Sequence, residues 1–124
     1  MINKTFLIAG AILAGLAVAI GAFGSHGLKE MLTRTQRLDT FEIAVKYQFY
    51  HALGLLIIGI LQIHMPGRFI DLSGWFILAG TFIFSGSLYV LCLTNYSFLG
   101  AITPQGGLAF IIGRGLLLWG IIKG

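Results

Sequence analysis

The residues best equipped for chemistry lie in apolar surroundings. Tyr47, Gln48 and His51 share a helical face with Ala44, Leu55 and Gln62, since at about 100° per residue these positions fall within an arc of roughly 100°. An imidazole takes and gives a proton, and a neighbouring amide and phenol can orient the exchange. The face therefore suits a proton relay or a ligand contact. It also suits plain interhelical hydrogen bonding, with His51 bonded to a carbonyl or to Ser85. Arg114 is the strongest anomaly. It interrupts an apolar run about ten residues, or roughly 15 Å of helix rise, before position 124. The four acids, Glu30, Asp39, Glu42 and Asp71, all fall outside hydrocarbon depth, so none can pair with it there. Three readings stay open for its guanidinium. It snorkels toward Lys123, it bonds carbonyls, polar side chains such as Gln48 or a subunit interface, or it lines a site for an anion or a lipid headgroup. The candidate polar intramembrane site is thus Tyr47, Gln48, His51, Ser85 and Arg114.

Other chemistries find little support. His26, His51 and His64 fall at one surface, mid-span and the opposite surface, so no pair in one chain suits a haem iron. The single cysteine, Cys92, sits in an apolar run and reads as a small buried hydrophobe. There is no HExxH, no CxxC and no supportable Ser-His-Asp set. Gly106-Gly107 lacks the strand and lysine of a phosphate loop. No catalytic, cofactor-binding or metal-binding residue is assigned, and a non-enzyme is the expectation.

The elements that would hold these residues follow from composition. Of 124 residues, 57% are hydrophobic and 10% charged, against about 25% charged in a soluble domain. Four apolar runs, at about 6–24, 41–63, 74–93 and 101–122, each approach the roughly 20 residues that a helix needs to cross hydrocarbon. Backbone groups there must bond internally, which makes the runs helices, and barrel strands would be shorter and alternating. The expected fold is all-α: a polytopic membrane protein, one four-helix bundle over residues 1–124. The first run imitates a signal peptide with Ala17-Val18-Ala19 as its cleavage site, yet continues past it, so a retained helix is expected. The net charge of +4 comes from scattered Lys and Arg, which suit lipid headgroups and not nucleic acid.

Between the first two runs, Leu28, Met31 and Leu32 at i, i+3, i+4 predict a short amphipathic helix at the interface. Pro66-Gly67 with Asp71, and Asn95 with Ser97, mark the other turns. Thr103-Pro104 predicts a cap and first-turn proline, starting the last helix near Pro104. Tyr47, Tyr50, Trp75, Tyr89, Tyr96 and Trp119 read as an aromatic belt. Small residues mark the packing faces: Gly106, Gly113 and Gly120 seven apart, Gly80, Ser87 and Thr94 seven apart, and Gly10 with Ala14, then Ala17 with Gly21. Seven-residue spacing predicts left-handed, nearly parallel packing. A tight bundle with no large enclosed cavity follows, and any pathway would run between subunits or down a narrow crevice.

Several motifs resemble a known family. Gly21-Ala22-Phe23-Gly24-Ser25-His26-Gly27-Leu28 resembles its signature after the first helix. Phe41 with Ala44 and Tyr47-Gln48-Phe49-Tyr50-His51-Ala52-Leu53 is similar to its second-helix motif, and Phe84-Ser85-Gly86-Ser87-Leu88-Tyr89 to its third. Thr103-Pro104-Gln105-Gly106-Gly107 with Gly113 is similar to its fourth. The chain is identified on these as a member of DUF423, a family similar to the animal transmembrane protein 256. The resemblance implies a four-helix protein of a bacterial inner (plasma) membrane, and it carries no established activity. It implies tryptophan more often than arginine at position 114. Four spans place both termini on one side, and the positive residues lean toward a cytoplasmic 26–46 connection. Membrane lipid is the expected partner, with a homo-oligomer or a larger membrane complex beside it. The leading functional reading is a structural or accessory integral membrane protein. The alternatives are a small oligomeric channel or transporter and a lipid- or quinone-interacting subunit.

Overall fold

The computed structural model describes residues 3–124. Helix α1 (Thr5–Ala19) continues through a π-helical turn (Ile20–Gly24) into a short α2 (Ser25–Gly27). Then follow α3 (Lys29–Arg34), α4 (Leu38–His64), α5 (Arg68–Thr94) and α6 (Leu99–Lys123). Among the described residues, four helices are long and apolar enough to cross a membrane: α1 with its π turn, α4, α5 and α6. The expected all-α, four-span architecture is therefore present. Helices α4 and α5 have 27 residues each, or about 40 Å of rise, and so overrun a hydrocarbon layer about 30 Å thick. Apolar runs mark only the lipid-facing middle of such a helix, which is why α5 begins six residues before the expected 74. Its polar first turn is helical because the Asp71 amide donates to the Gly67 carbonyl at 3.1 Å.

The connection between α1 and α4 holds the expected amphipathic helix. In α3, Leu32 is fully buried while Lys29 and Glu30 face outward. Leu32, Phe41 and Cys92 form one cluster, against which Leu28 and Met31 pack. Cys92 is thus the buried hydrophobe its surroundings suggested. Asn95 adopts the left-handed conformation (φ 59°), caps α5 through its amide, and accepts at 2.9 Å from Arg37 Nε on the neighbouring turn.

Helix α6 corrects one expectation. It starts at Leu99, five residues before Pro104, through amides at 99, 100 and 101 that donate to the carbonyls of Tyr96, Ser97 and Phe98. Pro104 withholds a donor only from the exposed Gly100, in the first turn and a half, where water can substitute. Thr103 is no cap: its hydroxyl meets Ser87 Oγ across the α5–α6 seam at 2.6 Å.

Neighbouring long helices run antiparallel, and their order of packing is α1, α4, α5, α6. The α5–α6 seam follows the seven-residue rule on both sides. Gly106, Gly113 and Gly120 receive Phe84, Ile77 and Ile70, themselves seven apart. Gly80 faces Phe110 and the Gly106 carbonyl, and Ser87 faces Thr103. Thr94 takes no part, being exposed and bonded to the Val90 carbonyl of its own helix. Between α1 and α4, Gly10 meets the Ala52 backbone and Gly59 meets Leu7. The Phe6 ring fills the space over Gly74 and meets Trp75 edge-on at 5.1 Å.

A Cβ at position 106 would lie 2.5 Å from the Phe84 backbone nitrogen, which cannot turn aside. Gly106→Ala should therefore destabilise the bundle by about 1–3 kcal/mol, measured as a lower midpoint in a dodecyl sulfate titration. At Gly115 an added Cβ meets nothing within 4 Å, and Gly115→Ala should stay within about 0.5 kcal/mol of the parent.

Candidate functional site

The five residues of the predicted polar site divide between two settings. Gln48 and Ser85 serve the core. Gln48 Nε2 donates to the Leu13 carbonyl of α1 at 2.8 Å, and its Oε1 accepts from Tyr89 of α5 at 2.6 Å. One buried amide thereby ties three helices. Ser85 Oγ donates to the Ala44 carbonyl of α4 at 2.8 Å. Neither bonds His51 or Arg114, so the expected His51–Ser85 and Arg114–Gln48 contacts are not made. Their own partners hold them elsewhere, Gln48 toward Leu13 and Tyr89 and Ser85 toward the Ala44 carbonyl. Tyr89, expected in the aromatic belt, is recruited inward by Gln48.

Tyr47, His51 and Arg114 come together in the second setting. Helix α6 packs closely on α5 alone and meets α4 chiefly through side chains. The gap is a groove of about 770 Å³, open toward the side of the bundle. Tyr47, Tyr50 and His51 of α4 form one wall, Phe84 of α5 the floor, and Gly107, Phe110, Ile111 and Arg114 of α6 the other wall. His51 is 5% exposed and is stacked on Phe110 with ring centres 3.5 Å apart. Tyr47 stacks on Phe84 at 4.7 Å.

The hydrogen bonds of His51 fix its tautomer. Nδ1 lies 2.7 Å from the Tyr47 carbonyl, which can only accept, so Nδ1 carries the proton. Nε2 then presents a lone pair, and Arg114 Nη2 approaches it at 3.4 Å. A guanidinium donor and an imidazole acceptor thus stand side by side. Arg114 bonds a polar side chain as one reading held, but the partner is His51. The arginine is exposed and lines the groove.

Phe84, Phe110 and Gly107 were not singled out for this site from the sequence. A signal existed on α6, where Gly107, Ile111 and Arg114 share one face and Phe110 precedes Arg114 by one turn. Phe84 had none, because only the packing of α5 on α4 brings it beneath Tyr47. Gln62 of the sequence stripe lies near the α4–α5 turn, where its Nε2 donates to Asp71 Oδ1 at 2.8 Å.

Four apolar spans joined by interhelical bonds through a buried amide and hydroxyls define a small multi-pass membrane protein. A family model described as "Protein of unknown function (DUF423)" matches residues 20–107, and the chain belongs to that family. It is 45% identical over 121 residues to the UPF0382 membrane protein YwdK of Bacillus subtilis, covering 97% of this chain and 98% of the relative. A UPF0382 membrane protein of Staphylococcus saprophyticus is 46% identical over 120 residues, covering 97% and 98%. One of Staphylococcus aureus strain USA300 is 47% identical over 120 residues, covering 97% of each. No solved structure matches the chain. The protein is thus a multi-pass protein of a bacterial membrane.

The two settings respond differently to substitution. Interhelical hydrogen bonds in membranes contribute about 0.6 kcal/mol on average and up to about 1.7. Gln48→Leu forfeits two, so it should lower stability by about 1–3 kcal/mol, and Tyr89→Phe by roughly half as much. Arg114→Leu removes one long contact from an exposed side chain and should unfold at the parent's midpoint or above it.

Proposed function

We propose that this protein is a non-catalytic, accessory membrane protein that receives a ligand out of the bilayer into the groove between α4 and α6. The observation that carries the reading is the His51–Arg114 pair in an aromatic groove open to the side. A charged guanidinium at hydrocarbon depth is costly, by about 2.5–3.5 kcal/mol on insertion scales, and a ligand bearing acceptor oxygens would offset part of that cost. Groove volumes of about 300–1,000 Å³ are typical of small-molecule sites. Catalysis is the weaker reading, because Ser85 is bonded to a backbone carbonyl and no described carboxylate lines the groove. A conducting path would need a second subunit, since Arg114 is exposed while His51 is packed against Phe110.

The reading extends to topology. Four crossings put both termini on one face of the plasma membrane. Lys29, Arg34, Arg37 and Lys46 outnumber Lys4, Arg68 and Lys123, which favours a cytoplasmic 26–46 segment.

Gly107→Leu should fill the groove without disturbing the seam, because a Cβ at 107 meets only the Phe84 ring, at 4.0 Å. Native mass spectrometry of protein extracted gently from its own membrane should show a retained mass in the parent and its loss in Gly107→Leu. An identical mass in both proteins would place the ligand elsewhere. For topology, a cysteine introduced at Thr33 should react with membrane-impermeant maleimide only after cell lysis, and labelling of intact cells would reverse the orientation.

A further inference from the structure

We infer that the groove's occupant belongs to the isoprenoid quinone class: a planar, carbonyl-bearing ring that dissolves in hydrocarbon. The inference rests on the groove being the binding site proposed above. Depth is the first argument. His51 lies thirteen residues from either end of α4, or about 20 Å of rise, and so sits at mid-span. Arg114 lies nine residues from Lys123 and fifteen from Leu99, and it touches His51. Phospholipid headgroups lie at the edge of the hydrocarbon, about 15 Å from its centre. A ligand that meets both residues carries its polar atoms inside the hydrocarbon. A quinone ring does so, and its tail needs only apolar surroundings.

Complementarity is the second argument. The Nδ1 proton of His51 is committed to the Tyr47 carbonyl, so the pair offers one acceptor, Nε2, beside the donors of Arg114. A quinone carbonyl accepts from the guanidinium. The hydroxyl of the quinol form donates to Nε2 in place of Arg114 Nη2, whose 3.4 Å approach is at the long end of a hydrogen bond. Both oxidation states find a partner, and no electron transfer is required of this chain. The lining is aromatic, with Tyr47 stacked on Phe84 and His51 on Phe110, and the outer faces and edges of these pairs offer a flat ring apolar contact. About 770 Å³ holds the ring and the first units of a tail, and the open side lets the remainder into the bilayer.

A second copy of this chain fits poorly on the same face. It would bring another Arg114 and no acid at that depth, so like charges would meet in a medium of low dielectric constant.

The test uses the full chain in nanodiscs of phosphatidylcholine, with decylubiquinone as the probe and the bound fraction read by chromatography after separation. The expected result is saturable binding of about one probe per chain. Arg114→Gln should weaken it at least tenfold, and His51→Phe, which keeps a ring on Phe110 but removes the acceptor, should weaken binding of the reduced probe, decylubiquinol, by as much. Gly115→Ala should leave it unchanged, and circular dichroism of each variant checks folding. Oleic acid and phosphatidic acid are titrated in parallel. Binding of either acid through Arg114, with no quinone binding, overturns the quinone inference and keeps the groove as a site. Probe binding indifferent to both variants also overturns it. If no probe binds and native extracts retain no ligand, the groove reading fails as well.

Discussion

Lipid tails compete with apolar side chains on nearly equal terms, so these helices are held by close approach more than by hydrophobic exclusion. The α5–α6 seam shows what that requires. From Gly106 onward every seventh residue of α6 is glycine, and the backbone of α5 comes near enough that a single methyl at position 106 has no place to go. The antiparallel register follows from this fit, since Ile70, Ile77 and Phe84 each need a glycine opposite. The same register fixes where Phe84 and Phe110 stand, and therefore the floor and one wall of the groove.

Polar groups follow a second demand of the same solvent. A donor or acceptor left alone in hydrocarbon costs several kcal/mol, so polar groups at that depth need a partner or a route to water. The one buried side-chain atom without a partner among the described residues, Gln62 Oε1, lies near the end of α4. Gln48 spends both ends of its amide on neighbouring helices, and Ser85 closes on a backbone carbonyl. Thr81 and Ser73 close on carbonyls of their own helix. Arg114 departs from this pattern. It has one long contact and an exposed position, in a chain whose four acids lie toward the span ends. That contrast between a satisfied core and an unsatisfied groove separates structural from functional polarity in this bundle.

The groove exists because α6 is fastened so completely to α5. Had α6 been shared between α4 and α5, the bundle would close and His51 would be an ordinary core residue. Instead Phe110 and Arg114 reach His51 through their side chains, and the remaining gap is lined by Tyr47 and Tyr50. Membership in a family of small bacterial membrane proteins, with relatives matched over nearly their full length, places the whole four-span unit in common.

The sequence by itself determined the number of spans, their helical state, the amphipathic connection at Leu28, Met31 and Leu32, and the glycine faces. Each depends on composition or local periodicity, which a single chain displays openly. It also pointed to Tyr47, His51 and Arg114 as residues out of keeping with lipid. It did not separate them from Gln48 and Ser85, because one helical face can serve two neighbours and only packing assigns each residue to its own. The start of α6 was misplaced for a related reason: a threonine and a proline read locally as a cap, whereas Ser87 across the seam claims that threonine. Tertiary structure alone decided that α4 and α6 stand apart, since the width of a gap between two helices is set by the third helix to which both are fastened.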